Sequence, residues 1–437
     1  MTAARGRKQG PVMDMDQFYG NPVIRRRMTE YTRDSCFIMP TKCSTAAHFH
    51  PCPADRLGPF LENGADLSRS LWDRRALLVH LDLEYVNFDF PAEAYLDARR
   101  TFALQIPLVA AVEETLADLG IAPLHLITGR GHHFVWRVPR DRRAFGQLQT
   151  LGRLPDHLRQ YYAQPMAPGG ESISPALGAA FAGLALVMEY LGHRIRSVAR
   201  EHSPLPVKLA EVNAGPRERG REILVLDLSE YGDPLNTRII RIPFSRYLKP
   251  WYMGQVAAGV DIPPMVVLPL HEMDLDQALR VRRSAVQALA LARRTVTRIP
   301  EAAAGMSALI EQYRKSELAA FHDFFYATDH DPPRTWPRTY DQFRPDDLPP
   351  EVRTTLEAPM DRLLKPDLIR RLVGRLLERE WHPRHIAGLM RSKYERNHGW
   401  GREWYVYDAA TRADYYARLF SGAAALGLDQ ADDDPVR

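Results

Sequence analysis

The chain has 437 residues, which is long for one average domain and suits two or three. Its hydrophobic share of 45% is that of an ordinary globular protein, which excludes a disordered or fibrous chain. The net charge of +4 and the sequence pI of about 8.9 permit nucleic-acid binding without requiring it. No apolar run approaches the ~18 residues of a membrane span, so no membrane association is expected. Residues 1–10 carry Arg5, Arg7 and Lys8 with no apolar core after them, unlike a secretory signal. Only three cysteines occur, Cys36, Cys43 and Cys52, which argues against a disulfide framework and for a reducing cytoplasm.

Along the chain, residues 1–70 read as irregular, with one short basic helix over 23–31. The strongest strand signal is 77–86, bounded by Asn87 and Pro91. A helix is predicted over 93–119, with Pro107 as a kink. Residues 123–139 read as strand, glycine turn and strand. Helical spacing returns over 142–162 and 175–200. A charged turn over 215–220 precedes two short strands, 222–228 and 238–243. Helices follow over 275–294 and 302–324. Residues 328–350 are rich in Pro and Asp and read as a linker, and a helical segment closes the described pattern over 361–426. No internal repeat of solenoid period is present.

The most informative stretch is Leu77-Leu-Val-His-Leu-Asp-Leu-Glu-Tyr85. Side chains alternate across a strand, so Asp82 and Glu84 share one face, with His80 beside them. Carboxylates in an otherwise buried strand are costly unless something compensates them. A divalent cation does so, and hard oxygen ligands suit Mg²⁺ or Mn²⁺. The competing reading is an edge strand with a solvated acidic face. A second apolar run, Glu222-Ile-Leu-Val-Leu-Asp227, also ends in an acid, which alone could be a cap or turn aspartate. Three convergent carboxylates are what a two-metal phosphoryl-transfer site requires.

Between these strands lies Thr128-Gly-Arg-Gly-His-His-Phe-Val-Trp136. Its glycines allow close backbone approach, and Thr128, Gly129, Arg130, Gly131 and His133 are candidates for a phosphate cradle. A plain hairpin turn is the competing reading. After Asp227, the stretch 238–249 supplies Arg238, Arg241, Ser245 and Lys249, donors that suit a triphosphate.

The order of these elements resembles the archaeo-eukaryotic primase superfamily. Its first motif is an apolar strand with Asp-x-Asp or Asp-x-Glu, here Asp82-Leu-Glu84. The second is a small hydroxyl or glycine turn followed by histidine, here Thr128-Gly-Arg-Gly-His-His133. The third is an apolar strand ending in Asp, here Asp227. A basic Arg-x-Pro-x-Ser stretch and a lysine often follow, here Arg241-Ile-Pro-Phe-Ser245 and Lys249. The resemblance covers roughly 71–250, and the long helical insertion between the second and third motifs departs from compact members. It implies an α/β (α+β) protein with an RRM-like catalytic core and a flanking α/β element. It also implies a DNA primase or polymerase, a template-dependent nucleotidyltransferase joining NTPs or dNTPs by two-metal catalysis. Asp82, Glu84 and Asp227 would be catalytic and bind the metals. Thr128, Gly129, Arg130, Gly131, His133, Arg241, Ser245 and Lys249 would bind the nucleotide, with His133 preferred over His132. The expected partners are a single-stranded DNA or RNA template and replication or repair proteins. A non-catalytic nucleic-acid-binding relative is disfavoured because all three acid positions are filled. With no GxxxxGK[ST] loop, no P-loop helicase is expected.

This divides the chain into an N-terminal region (1–70), a catalytic core (71–250), a helical extension (251–327), a linker (328–350) and a helical C-terminal domain (351–437). Near the N-terminus, Cys36, Cys43, His48, His50 and Cys52 are five candidate ligands for a structural Zn²⁺, though their spacing matches no paired C-x2-C pattern and buried unliganded cysteines compete. His48-Phe-His50 also has the form found in rolling-circle replication nucleases, for which Tyr161 or Tyr162 would be the nucleophile. That alternative leaves the three acids without a role. At the other end, 368–377 and 385–394 flank Trp381-His-Pro383 and suggest a helix-turn-helix. Arg384, His385, Arg391, Lys393 and Arg396, followed by Trp400, Trp404, Tyr405 and Tyr407, suit single-stranded nucleic acid. A small bundle with a solvated basic face is the competing reading.

Overall fold

The computed structural model describes residues 15–41, 51–165, 171–210, 222–252, 262–358, 365–395 and 408–428. The fold is mixed α/β, 55% helical, with two sheets. The strands are β1 (Ile38–Thr41), β2 (Asp66–Ser70), β3 (Ala76–Asn87), β4 (Leu124–Ile127), β5 (Gly131–Pro139), β6 (Val207–Leu209), β7 (Glu222–Asp227), β8 (Ile239–Arg241) and β9 (Leu268–Pro269). The larger sheet has the order β6-β7-β3-β5-β4-β9 and the smaller one β1-β2-β8. All pairings are antiparallel except β6 with β7.

The predicted strand 77–86 is β3, the long central strand, and it is buried along nearly its whole length. Its even-numbered side chains leave one face and its odd-numbered ones the other. Leu77, Val79, Leu81 and Leu83 are all at most 1% exposed and anchor the hydrophobic core. The long helix Pro175–Arg200 is also a core element. Ser174 caps it by accepting a hydrogen bond from Leu177 N, and Pro175 occupies its first turn, where no backbone donor is needed. This helix is long and apolar enough to cross a membrane, but 72% of its apolar window is buried inside the protein.

Several predicted helices are divided, each at a local signal stronger than the apolar spacing. Residues 93–119 form Glu93–Leu96 and Ala98–Asp118, because the Asp97 side chain accepts from Arg100 N and starts a new helix. The second helix runs through Pro107. Pro155 separates Arg143–Leu151 from Asp156–Ala163. Ser284 and Ser316 cap new starts in the same way, giving Leu275–Val281 and Ala285–Arg294, then Ala303–Arg314 and Glu317–Ala327.

The N-terminal region is less irregular than expected. It holds the helix Pro22–Thr32 and both β1 and β2. The sequence of β2, Asp66-Leu-Ser-Arg-Ser70, is too polar to read as a buried strand, yet every residue in it is buried. Ion pairs make this tolerable: Arg241 sits on Asp66, and Arg69 reaches Asp73 at 2.8 Å. Residues 328–350 are not a loose tether. Trp336 and Tyr340 are buried, Trp336 donates to Asp331 O at 2.8 Å, and the Tyr340 hydroxyl lies 3.0 Å from His385 Nδ1. The prolines set short 3-10 turns that aim these rings inward.

The C-terminal helices Pro366–Leu377, Pro383–Tyr394 and Ala409–Ala425 pack on the rest through apolar contacts and polar links, among them a buried cluster around Glu189. Glu189, fully buried on the long helix, accepts from Arg418 Nε at 3.0 Å and lies 3.0 Å from His322 Nε2. Burial alone pushes the Glu189 carboxyl up, but the Arg418 guanidinium and His322 outweigh it and hold the pKa at about 2. Removing one partner of a buried pair leaves an uncompensated charge, so Glu189→Gln is expected to destabilise the chain by about 3–5 kcal/mol at neutral pH. Because the folded-state pKa is depressed, the stabilisation is complete above the unfolded value of ~4.3 and is lost as pH falls through about 2. Urea denaturation at pH 7 and pH 3 should therefore show the gap between wild type and variant narrowing in acid.

Candidate functional site

Asp82, Glu84 and Asp227 are brought to one face of the central sheet. Across the β3–β7 ladder Asp82 is the register partner of Asp227, and across β3–β5 it is the partner of His133. Opposed residues of a ladder project from the same face with Cβ atoms ~4.5–5.5 Å apart. Glu84, two residues on, faces Gly131 on one side and Val225 on the other. His80 completes the face, its ring meeting that of His133 edge-on at 4.5 Å.

Each acid has a different compensation. For Asp82, burial alone would raise the pKa, but His133, with Nε2 3.4 Å from Oδ1, and then His80 and Lys249 hold the carboxyl well below its usual range. Beyond that contact, Asp82 Oδ1 is buried without a hydrogen-bond partner among the described residues. Burial likewise pushes Glu84 up, and Arg130 and Lys249 overcome it, the latter with Nζ 3.4 Å from Oε1. Among the described residues no cation forms an ion pair with Asp227, although His80 and Arg238 act on it from further off. It accepts from Ser229 N at 2.8 Å, but burial and the facing Asp82 push its carboxyl up.

His80 ties this face to the turn that follows Asp227. Its Nδ1 lies 2.8 Å from Glu230 Oε2. Burial would lower the imidazole pKa, but the Glu230 carboxylate and then Asp82 and Asp227 raise it. The Tyr231 hydroxyl donates to His80 O at 2.9 Å and lies 3.2 Å from His80 N. Glu230 and Tyr231 were not singled out in the sequence. The one available signal was their position directly after the third acid.

The glycine turn sits over Glu84. Thr128 N and Oγ1 both donate to Gly131 O, at 2.8 and 3.1 Å, so this hydroxyl is held within the turn. A Cβ at Gly131 would lie 1.7 Å from Leu83 O, and one at Gly129 would lie 2.2 Å from the Tyr247 ring. Both glycines are therefore required by chain packing. Arg130 turns onto Glu84. Strand alternation separates the two histidines. His133 lies with the acids, whereas His132 lies on the other face, 2.9 Å from His125 Nε2 and edge-on to Phe102.

Of the basic stretch after Asp227, Lys249 reaches the acid face, and burial followed by Arg130 pushes its pKa down. Arg241 pairs with Asp66 and stacks on Tyr247 at 5.1 Å. Ser245 donates to Leu67 O at 3.2 Å, and Arg238 pairs with Asp233. Arg238 also donates to Ser229 O at 3.0 Å, next to Asp227, and against burial Asp233 and then Asp227 raise its pKa, while Arg241, on β8 of the smaller sheet, helps lower the pKa of Lys249.

The remaining candidates lie elsewhere. Cys36 and Cys52 are thiols rather than disulfide halves, and burial raises their pKa values; Cys43, His48 and His50 fall outside the described residues. Among the described residues no group of three or more His, Cys, Asp or Glu side chains is arranged to hold a metal as it stands. Tyr162 is buried and accepts from Leu235 N at 2.9 Å, and burial raises its pKa, a poor setting for a nucleophile. Tyr161 is partly buried beside it. In the predicted helix-turn-helix, Arg384 lies 2.7 Å from Asp414, Arg391 pairs with Glu395, and Lys393 lies 3.5 Å from Asp341. Much of that basic helix is thus neutralised internally. Arg396, Trp400, Trp404, Tyr405 and Tyr407 fall outside the described residues.

The Asp82–Asp227 pair predicts a stability effect. A raised folded-state pKa means that ionised Asp227 destabilises the fold at neutral pH, and that the penalty fades as pH falls through the raised folded-state value and is gone below the unfolded value of ~3.9. In metal-free buffer at pH 7, Asp227→Asn should raise the melting temperature by on the order of 2 °C, and the gain should vanish near pH 3. Calorimetry of both proteins at the two pH values checks this. Comparisons of the chain with protein-family models, with curated proteins and with solved structures find no match.

Proposed function

We propose that this chain is a template-dependent nucleotidyltransferase, a primase–polymerase resembling the archaeo-eukaryotic primase superfamily, with an RRM-like core built on the larger sheet. The observation that carries the reading is the pairing of Asp82 with Asp227 on adjacent central strands, with Glu84 on the same face. Few structural roles call for three carboxylates on the buried face of a sheet, and phosphoryl transfer calls for them directly.

The acids fit a divalent cation. Asp82 Oδ1 makes no hydrogen bond among the described residues beyond its 3.4 Å contact with His133, and Asp227 beside it has a raised pKa, so two hard oxygen donors face each other with one of them under-compensated. Asp82 and Asp227 would hold Mg²⁺ or Mn²⁺, and Glu84 would join them once released from Arg130 and Lys249. Bound there, the cations supply charge neutralisation and activation of the attacking hydroxyl.

This chain's own residues then have distinct tasks. His133 orients the Asp82 carboxylate, and the His80–Glu230 contact fixes the turn that positions Asp227. Arg130 and Lys249 neutralise Glu84 before substrate arrives and turn to the triphosphate oxygens when it binds. The substrates are an NTP or dNTP and a strand annealed to a single-stranded template. A terminal hydroxyl gives up its proton to solvent as its oxygen bonds the α-phosphorus, the bond from that phosphorus to the α–β bridging oxygen breaks, and pyrophosphate leaves.

The test is primer extension with Mg²⁺ or Mn²⁺. Loss of an outer-shell partner costs a metal site 10–100-fold, so Asp82→Asn, which removes a ligand, should reduce nucleotide addition by more than about 100-fold. Its circular dichroism should match wild type, and Mn²⁺ should raise the melting temperature of wild type but not of the variant. A correctly folded Asp82→Asn protein that still extended primers at the wild-type rate would refute the proposal.

A further inference from the structure

At the opposite end of β3 and β5 lies a cleft that the acidic face does not use. It has a volume of about 540 Å³ and is bordered by Ala76 and Pro139. Ala76 stands six residues before Asp82, about 20 Å along an extended strand. The helix Pro22–Thr32 and the segment following it form one wall, and residues 298–301 form another.

The lining has a cationic excess: seven arginines face five acids, and one of those acids, Glu30, is held at 2.8 Å by Arg27, which lies outside the lining. Within the lining Arg137 pairs with Asp34 and Glu301, Arg75 with Asp34 and Arg142 with Asp141, while no ion pair of Arg33 or Arg298 is seen among the described residues. The arginines come from separate parts of the chain and stand at different depths. Arg33, Arg75, Arg142 and Arg298 are exposed at the rim, and Arg137 and Arg140 are half-buried below them. Arg69, 1% exposed, is fully engaged by Tyr31 O, Ser70 O and Asp73 and so braces the floor.

Unused donors occur at the same place. The nitrogens Arg137 Nε and Arg140 Nε are buried with no hydrogen-bond partner among the described residues. So is the hydroxyl of Tyr31, a residue only 1% exposed that lines the cleft. A buried hydroxyl without a partner is disfavoured by ~1–3 kcal/mol, and a ligand oxygen would satisfy it. Guanidinium groups present planar donor forks that match phosphate oxygens, which sets the chemistry of that ligand.

We propose that this cleft binds a run of phosphate groups, as a second anion site remote from the three acids. The assignment stands on the cleft alone and does not depend on nucleotide transfer at Asp82. Two sources share the chemistry: a free polyphosphate chain, such as a nucleotide's tail, and the backbone of single-stranded nucleic acid.

The test uses the full chain with two probes, inorganic tripolyphosphate followed by calorimetry and a fluorescein-labelled 20-nucleotide oligo-dT followed by anisotropy. Arg142→Glu/Arg298→Glu reverses two exposed rim charges, and Arg334→Glu/Arg338→Glu reverses two exposed arginines outside the cleft. The cleft variant should bind at least one probe about tenfold more weakly or worse, with the control variant close to wild type. Tyr31→Phe should weaken binding of the same probe without lowering the melting temperature. Loss confined to tripolyphosphate assigns the site to a free polyphosphate, and loss confined to or shared with oligo-dT assigns it to a strand. Equal binding by the cleft variant and wild type, or equal losses in cleft and control variants, overturns the proposal. Neither result bears on Asp82, whose primer-extension test is read separately.

Discussion

The central constraint in this protein is the presence of ionisable side chains on the buried face of its longest strand. An isolated carboxylate in a sheet interior is unstable as an anion, so each acid must be matched by something. Glu84 is matched by Arg130 and Lys249, and Asp82 in part by His133. Those demands propagate outward. The glycine turn must bring Arg130 within reach, which draws the chain so close to β3 and Tyr247 that no Cβ is tolerated at Gly129 or Gly131. Asp227 has no ion-pair partner among the described residues, and its repulsion with Asp82 is charge that a divalent ion would settle.

The same logic organises the periphery. β2 is buried despite its polar sequence because Arg241 and Asp66, and Arg69 and Asp73, neutralise each other. The C-terminal helices are attached through Glu189, which meets Arg418 from one side and His322 from the other. Buried pairs of this kind contribute little net stability over well-packed apolar residues, but breaking one is costly. They specify which surfaces meet. In this chain they join β2 to β8 within the smaller sheet and the last helices to the long core helix.

The three acids and the arginine-lined cleft sit at different places along β3. The acids lie at 82–84, beside the glycine turn, and the arginine-lined cleft lies at the strand's beginning. That separation lets each region keep its own electrostatic character, since charges ~20 Å apart are beyond the screening length of about 8–10 Å at physiological salt. A cation at one end and an anion at the other would not compete.

Much of the framework was legible in the sequence because its signals are local. The run 77–86 alternates and is strongly apolar, so β3 and the shared face of Asp82 and Glu84 follow from strand geometry. Ser174-Pro175 marks the start of the long helix by the chemistry of capping. Alternation also puts His133, not His132, on the acid face once β5 pairs with β3. Other features depend on contacts between distant residues. That Asp82 and Asp227 are register partners follows from the β3–β7 ladder, 145 positions apart, and no local pattern encodes it. The strand character of Asp66–Ser70 exists because Arg241 arrives from β8 to neutralise Asp66. Arg241 and Ser245 read as phosphate ligands by residue type, and that Arg241 pairs with Asp66 while Ser245 donates to Leu67 O follows only from the pairing of β8 with β2 and the turn after it. The Pro-rich stretch 328–350 read as a linker by composition, yet Trp336 and Tyr340 find buried partners that only the folded helices provide. Residue type and spacing determined which groups can carry charge and where strands and helices begin. Tertiary pairing decided which of those charges meet, because ion pairs and ladder register join residues far apart in the chain.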